Sequence, residues 1–180
     1  MIVTRTPADK IVTFLSFSND LEDCVHELEK FDPREWRRIL GWLDDAGVAF
    51  YFLEKLKNTN AAKIVPTWVM SHLERNFAAN QQRVEDMSHR FDSLNQKFDD
   101  AGVRYAVLKG FSLVPQFCPD ATLRHQGDFD YLVDESSLSA AQRIVLEAGY
   151  SPKSSRSSQE SIFIMSGMGE PTRSAEQYNA

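Results

Sequence analysis

Gly127-Asp-Phe-Asp-Tyr-Leu-Val-Asp134 is the stretch on which the reading of this chain turns. Acidic and apolar residues alternate through it, as they do on a half-buried strand whose successive side chains point to opposite faces. Phe129, Tyr131 and Val133 then face a core, and the carboxylates of Asp128 and Asp130 share the other face. Two carboxylates side by side repel each other and become favourable when a hard cation lies between them. Mg²⁺ suits such a place, because it takes oxygen ligands and usually keeps bonds to substrate phosphates. An Asp-x-Asp by itself also describes an exposed strand face or a turn, so its neighbours have to decide.

Upstream, Val103-Arg-Tyr-Ala-Val-Leu108 is short, β-branched and aromatic, which predicts a strand. Lys109-Gly110 ends it, and Phe111 to Phe117 reads as a helix. A glycine lets the backbone come close to phosphates, and a helix start attracts anions. Lys109 adds a point charge, and Arg124 places a second cation on the loop that leads to Asp128. Asp128 to Val133 is expected as the second strand, followed by a helix capped at Ser136 or Ser137 and closed by Gly149.

These residues carry a resemblance. Leu108-Lys-Gly-Phe-Ser112, then Arg124-His-Gln-Gly-Asp-Phe-Asp-Tyr-Leu-Val133, then the helix ending at Ala148-Gly-Tyr150, is similar to the nucleotidyltransferase superfamily that includes DNA polymerase beta. More narrowly, it resembles a bacterial nucleotidyltransferase-like family with a Leu-Lys-Gly motif, an Arg, and an Asp-hydrophobic-Asp. The match is strongest over residues 103–150. The resemblance implies that Asp128 and Asp130 bind the catalytic metal, Mg²⁺ or Mn²⁺, with an NTP as substrate. It implies a phosphate-approach turn at Gly110, a hydroxyl from Ser112, and phosphate-side cations at Lys109 and Arg124. The expected activity is transfer of a nucleoside monophosphate to a hydroxyl of a small molecule or a protein.

The sequence also departs from that pattern. The superfamily uses a third carboxylate on a later strand, often as the general base. Asp134 has the right parity but reads as a turn residue, and Glu160 and Glu170 lie in an unpatterned tail. The chain therefore reads as C-terminally truncated or diverged. The alternative reading is a catalytically inactive binding or interaction module of the same fold.

The first hundred residues read as helical. Asp32-Pro33 before Arg34-Glu-Trp-Arg-Arg-Ile-Leu-Gly-Trp-Leu43 is a helix start, and Trp36, Ile39, Leu40 and Leu43 share one face. Pro66 opens a long helix to about Asp100, with Leu73, Phe77, Val84, Met87, Phe91, Leu94 and Phe98 at alternating three- and four-residue spacing. Only Asn80 interrupts that register. The spacing favours a long helix packed along its own chain over a coiled coil, and leaves the helix at 66–100 as a surface for a protein partner. The class expected is α+β: a helical region over 1–100, an α/β core with a small mixed sheet over 101–150, and a polar tail over 151–180. Within that tail, Ile162-Phe-Ile-Met165 reads as one more short strand.

Bulk properties narrow the partners. The 180 residues carry a formal net charge of −6, so a basic face for a long nucleic-acid partner is not expected. No stretch approaches the roughly 20 apolar residues of a membrane span. Cys24 and Cys118 stand far apart, outside any Cys-x-x-Cys pair, and suggest thiols in a reducing cytoplasm.

Overall fold

The structure is a computed structural model that describes residues 6–16, 21–59, 61–153 and 161–165. Four helices come first: α1 (Pro7–Leu15), α2 (Leu21–Glu29), α3 (Pro33–Asp45) and α4 (Ala49–Asn58). The long α5 (Thr67–Asp100) follows, then β1 (Tyr105–Leu108), β2 (Asp130–Val133), α6 (Leu138–Glu147), β3 (Tyr150–Lys153) and β4 (Ile162–Met165). The class is α+β, as expected. Two compact units divide the chain. The first holds the described residues up to Gln82 together with Asp120–His125; the second holds Arg83–Pro119 and the described residues from Gln126 on. The division falls within α5.

In the first unit, α3 begins where the sequence places it. The Asp32 carboxylate accepts from the backbone N–H groups of Arg34 and Glu35, and Glu35 accepts from the N–H of Asp32. This reciprocal cap satisfies donors that a helix start leaves unpaired. The backbone bond from Glu35, more than that from Arg34, holds the Asp32 carboxyl below its ordinary range. Trp36, Ile39, Leu40 and Leu43 are all buried. They join Phe14, Phe52, Leu53 and Leu56 in the core, with Phe14 and Phe52 packed edge to face at 5.6 Å. Lys10 on α1 pairs with Glu27 on α2 at 2.8 Å, and Lys30 pairs with the same carboxylate. Hydrogen bonds from Lys10 and then Lys30 pull Glu27 down to about 2.

The expected seam of α5 is buried at Leu73, Val84, Met87, Leu94 and Phe98. Leu73 belongs to the first core, and Leu94 and Phe98 to the second, so each unit uses its stretch of the seam internally. Asn80 keeps the register and is just 3% exposed. Its Nδ2 donates to the carbonyls of Thr122 and Arg124, at 2.8 and 3.3 Å. The interruption in the apolar pattern is thus a peg for the segment Asp120–His125, whose Leu123 enters the first core.

Within the second unit, α5 stops at Asp100. Gly102 has a positive φ of 66°, and the N–H of Val103 returns to the carbonyl of Phe98 at 2.9 Å. A chain that must turn left-handed at a helix end is well served by glycine. β1 and β2 pair antiparallel, with Tyr105 opposite Val133 and Leu108 opposite Asp130. β3 and β4 form a second antiparallel pair, and β4 lies where the apolar run at 162–165 predicts it. The described sheet is therefore two antiparallel ribbons and not the small mixed sheet expected. Tyr105, Tyr131 and Val133 pack against Leu94, Phe98, Val103, Ala141 and Ile144. The Tyr131 hydroxyl donates to Asn95 at 2.8 Å, and burial pushes its phenol well up.

Three local expectations differ. β2 begins at Asp130, so Asp128 precedes the ladder. The helix expected over Phe111–Phe117 is a 3-10 turn at Gly110–Leu113. Ser137 precedes α6 without a side-chain cap bond; its hydroxyl accepts instead from the backbone N–H of Arg104 at 3.2 Å. The stretch at 154–160 and everything from 166 on, including Glu160 and Glu170, lie outside the described residues. No helix among the described residues is long and apolar enough to cross a membrane. Cys24 and Cys118 are both buried.

Candidate functional site

The second unit brings the Lys109–Gly110 turn against the start of β2. Leu108 lies opposite Asp130 in the ladder, so the next residue, Lys109, sits beside that carboxylate. The Lys109 ammonium reaches Asp130 Oδ2 at 3.3 Å. Alternation along β2 puts Asp130 on the face away from Tyr131 and Val133. Parity settles Asp130 alone, because Asp128 is outside the strand. Asp128 is placed through its backbone: a Cβ built on Gly110 would stand 3.9 Å from the Asp128 carbonyl oxygen. The turn and both acidic residues are thus neighbours within one unit.

Aromatic packing fastens these parts from beneath. Phe111, directly after the turn, stacks on Phe91 of α5 with ring centroids 5.2 Å apart. Phe129, between the two acidic residues, meets Phe91 at 5.6 Å and Phe111 at 6.0 Å. Such pairs contribute about 0.5–1.5 kcal/mol each beyond the area they bury. The intervening Phe is therefore what anchors the Asp-Phe-Asp segment, in which Asp128 is exposed and Asp130 half-buried.

The turn itself is unusual. Lys109 has φ 55° and ψ −159°, and Gly110 has φ 47°. Backbone of the Lys109 kind is nearly a glycine preserve and costs about 1–3 kcal/mol for a residue with a Cβ. The Ser112 hydroxyl donates to the Lys109 carbonyl at 2.7 Å, and its backbone N–H donates to the same oxygen at 3.0 Å. The hydroxyl proton of Ser112 is thus committed to holding the turn.

Sequence reasoning passed over Gln126. A glutamine in a loop ordinarily reads as exposed, yet this one is 3% exposed and its Nε2 has no hydrogen-bond partner among the described residues. Its Oε1 lies 3.2 Å from the Cβ position of Gly110, so any side chain there would crowd it. An unpaired buried donor costs about 1–3 kcal/mol and calls for an explanation. Nothing in the sequence flags it.

Arg124 follows a short 3-10 turn at Ala121–Leu123 and belongs to the first unit, where its carbonyl receives the Asn80 bond. Asp134, the remaining acidic residue at the end of β2, holds the Arg104 guanidinium at 2.8 Å and accepts from the Ser136 hydroxyl. The bond from Ser136, and then Arg104, keeps its carboxyl below the ordinary range. Among the described residues, no three His, Cys, Asp or Glu side chains converge as a ready-made metal cage. A magnesium-type cation needs only one or two carboxylates and fills its shell with water and substrate phosphates, so Asp128 and Asp130 are the residues here that could hold one.

No curated protein and no solved structure matches the chain. A family model described as an uncharacterised nucleotidyltransferase matches residues 32–175, a span that holds the turn at Lys109–Gly110, the Asp128–Asp130 pair and the helices α3 to α5 before them. The chain belongs to that nucleotidyltransferase family.

Proposed function

We propose that this chain binds a nucleoside triphosphate with Mg²⁺ or Mn²⁺ and transfers the nucleoside monophosphate to a hydroxyl of a small molecule or a protein. The observation that carries the reading is the Lys109–Asp130 contact at a glycine turn that also adjoins Asp128. Asp128 and Asp130 would hold the metal, which when bound neutralises phosphate charge and favours in-line attack at phosphorus. Lys109 supplies the turn with a cation. It neutralises Asp130 in the absence of substrate and has a phosphate to pair with in its presence. Gly110 lets the triphosphate approach the backbone, and Ser112 keeps the turn in shape. Arg124 is assigned to the phosphates by the motif alone.

In the transfer, the acceptor oxygen bonds to the α-phosphorus, pyrophosphate leaves, and the acceptor's proton passes to a base. Asp134 is engaged with Arg104 and Ser136, which favours a second reading, nucleotide binding without transfer. Calorimetry with Mg²⁺ and each of the four NTPs, alongside release of labelled pyrophosphate in the presence of a hydroxyl acceptor library, separates the two. Asp128→Ala combined with Asp130→Ala should weaken NTP binding at least about a hundredfold, given two lost charge-assisted metal contacts. Unchanged binding by that double variant would end the proposal.

A further inference from the structure

We infer that Gln126 is a triphosphate-binding residue, whose side-chain N–H is kept for a phosphate oxygen delivered over Gly110; the inference rests on the nucleotide site proposed above. The amide is buried, its Nε2 is unpartnered among the described residues, and its other end abuts the one turn position that lacks a Cβ. A donor-only vacancy asks for an oxygen acceptor. The same turn presents the Lys109 ammonium and adjoins two carboxylates suited to a cation, so the ligand that meets all of them carries oxygen-rich negative charge together with a metal. A Cβ at Gly110 would stand 3.2 Å from Oε1 and crowd the amide.

A structural glutamine and a ligand-reserved one respond differently to replacement. Gln126→Met keeps the length and removes the unpaired donor. It should melt no lower than wild type, yet bind ATP with Mg²⁺ at least about tenfold more weakly. In wild-type protein, the Gln126 side-chain amide resonances should shift when ATP–Mg²⁺ or inorganic triphosphate is added, and stay in place with adenosine. That measurement decides the matter even if the variant fails to fold. Wild-type affinity in Gln126→Met, or amide resonances unmoved at saturating ATP, overturns the role of Gln126 while the nucleotide site stands. A wild-type chain that binds neither ATP nor triphosphate overturns both.

Discussion

At Lys109 the backbone and the side chain favour different residues. The φ of 55° with ψ −159° is glycine territory, while the ammonium 3.3 Å from Asp130 requires lysine. Strain kept where a charge is needed is a common mark of a binding site. The two demands can be separated. Lys109→Ala removes the charge and keeps the strain; Lys109→Gly removes both. Both should weaken Mg–NTP binding alike, and the glycine variant should be more stable than the alanine variant by about 1–3 kcal/mol in denaturant unfolding. Equal stabilities would mean that the turn is unstrained in solution. This paired demand is invisible in the string Leu108-Lys-Gly. The apolar half of the Asp-Phe-Asp-Tyr stretch, by contrast, is legible, and Phe129 and Tyr131 do turn to the aromatic cluster, although Asp128 precedes the strand expected to carry it. Gln126 is illegible for the opposite reason: its burial is imposed by tertiary packing, and residue type argues against it.

Elements with local causes could be read from sequence. α3 starts at Pro33 because Asp32 and Glu35 cap it reciprocally, and α5 ends where Gly102 can turn left-handed. The stretch after Gly110 could not, since apolar Phe111 and Leu113 suit a helix and the chain takes a single 3-10 turn fixed by Ser112. Asn80 lies between these cases. Its place in the register is plain, but its partners, Thr122 and Arg124, are more than forty residues away in the chain and answer to tertiary structure. Asn80→Asp tests the peg. The introduced carboxyl loses both donated bonds and faces two carbonyls, which should cost about 3 kcal/mol at neutral pH. Burial against carbonyls raises its folded pKa above the unfolded value. The deficit relative to wild type should therefore narrow as pH falls toward the ordinary carboxylate range, and widen as pH rises through the folded value. Thermal melts between pH 4 and 8 (roughly the span a buried carboxyl can cover) read this directly. A pH-independent deficit would mean that position 80 is hydrated.

For the molecule as a whole, the two units are not built alike. The first buries Trp36, Leu40, Leu43, Phe52, Leu53 and Leu56 almost completely between helices. The second relies on a two-stranded ribbon whose outer face leaves Leu108 and Leu132 exposed, and two-stranded ribbons are marginal by themselves. Stability should therefore be unevenly distributed, with local opening easiest where apolar contacts are fewest. Hydrogen exchange should find the amides of α3 and α4 the slowest, and those of β1 and β2 faster by at least about tenfold. A ligand that binds only the closed ribbon stabilises it by mass action. Saturating ATP with Mg²⁺ should then slow exchange at 105–113 and 126–133 and leave α3 and α4 nearly unchanged. Uniform slowing over both units would show that the nucleotide acts on global stability, and the local site would lose its support. Slowing confined to the ribbon, and absent in the Asp128→Ala, Asp130→Ala double variant, would tie the lability of this unit to its ligand. The softness of β1 and β2 would then be a property of the site, because a turn with a strained lysine, beside a Gln126 donor unpartnered among the described residues, is held most firmly when a ligand pairs with both.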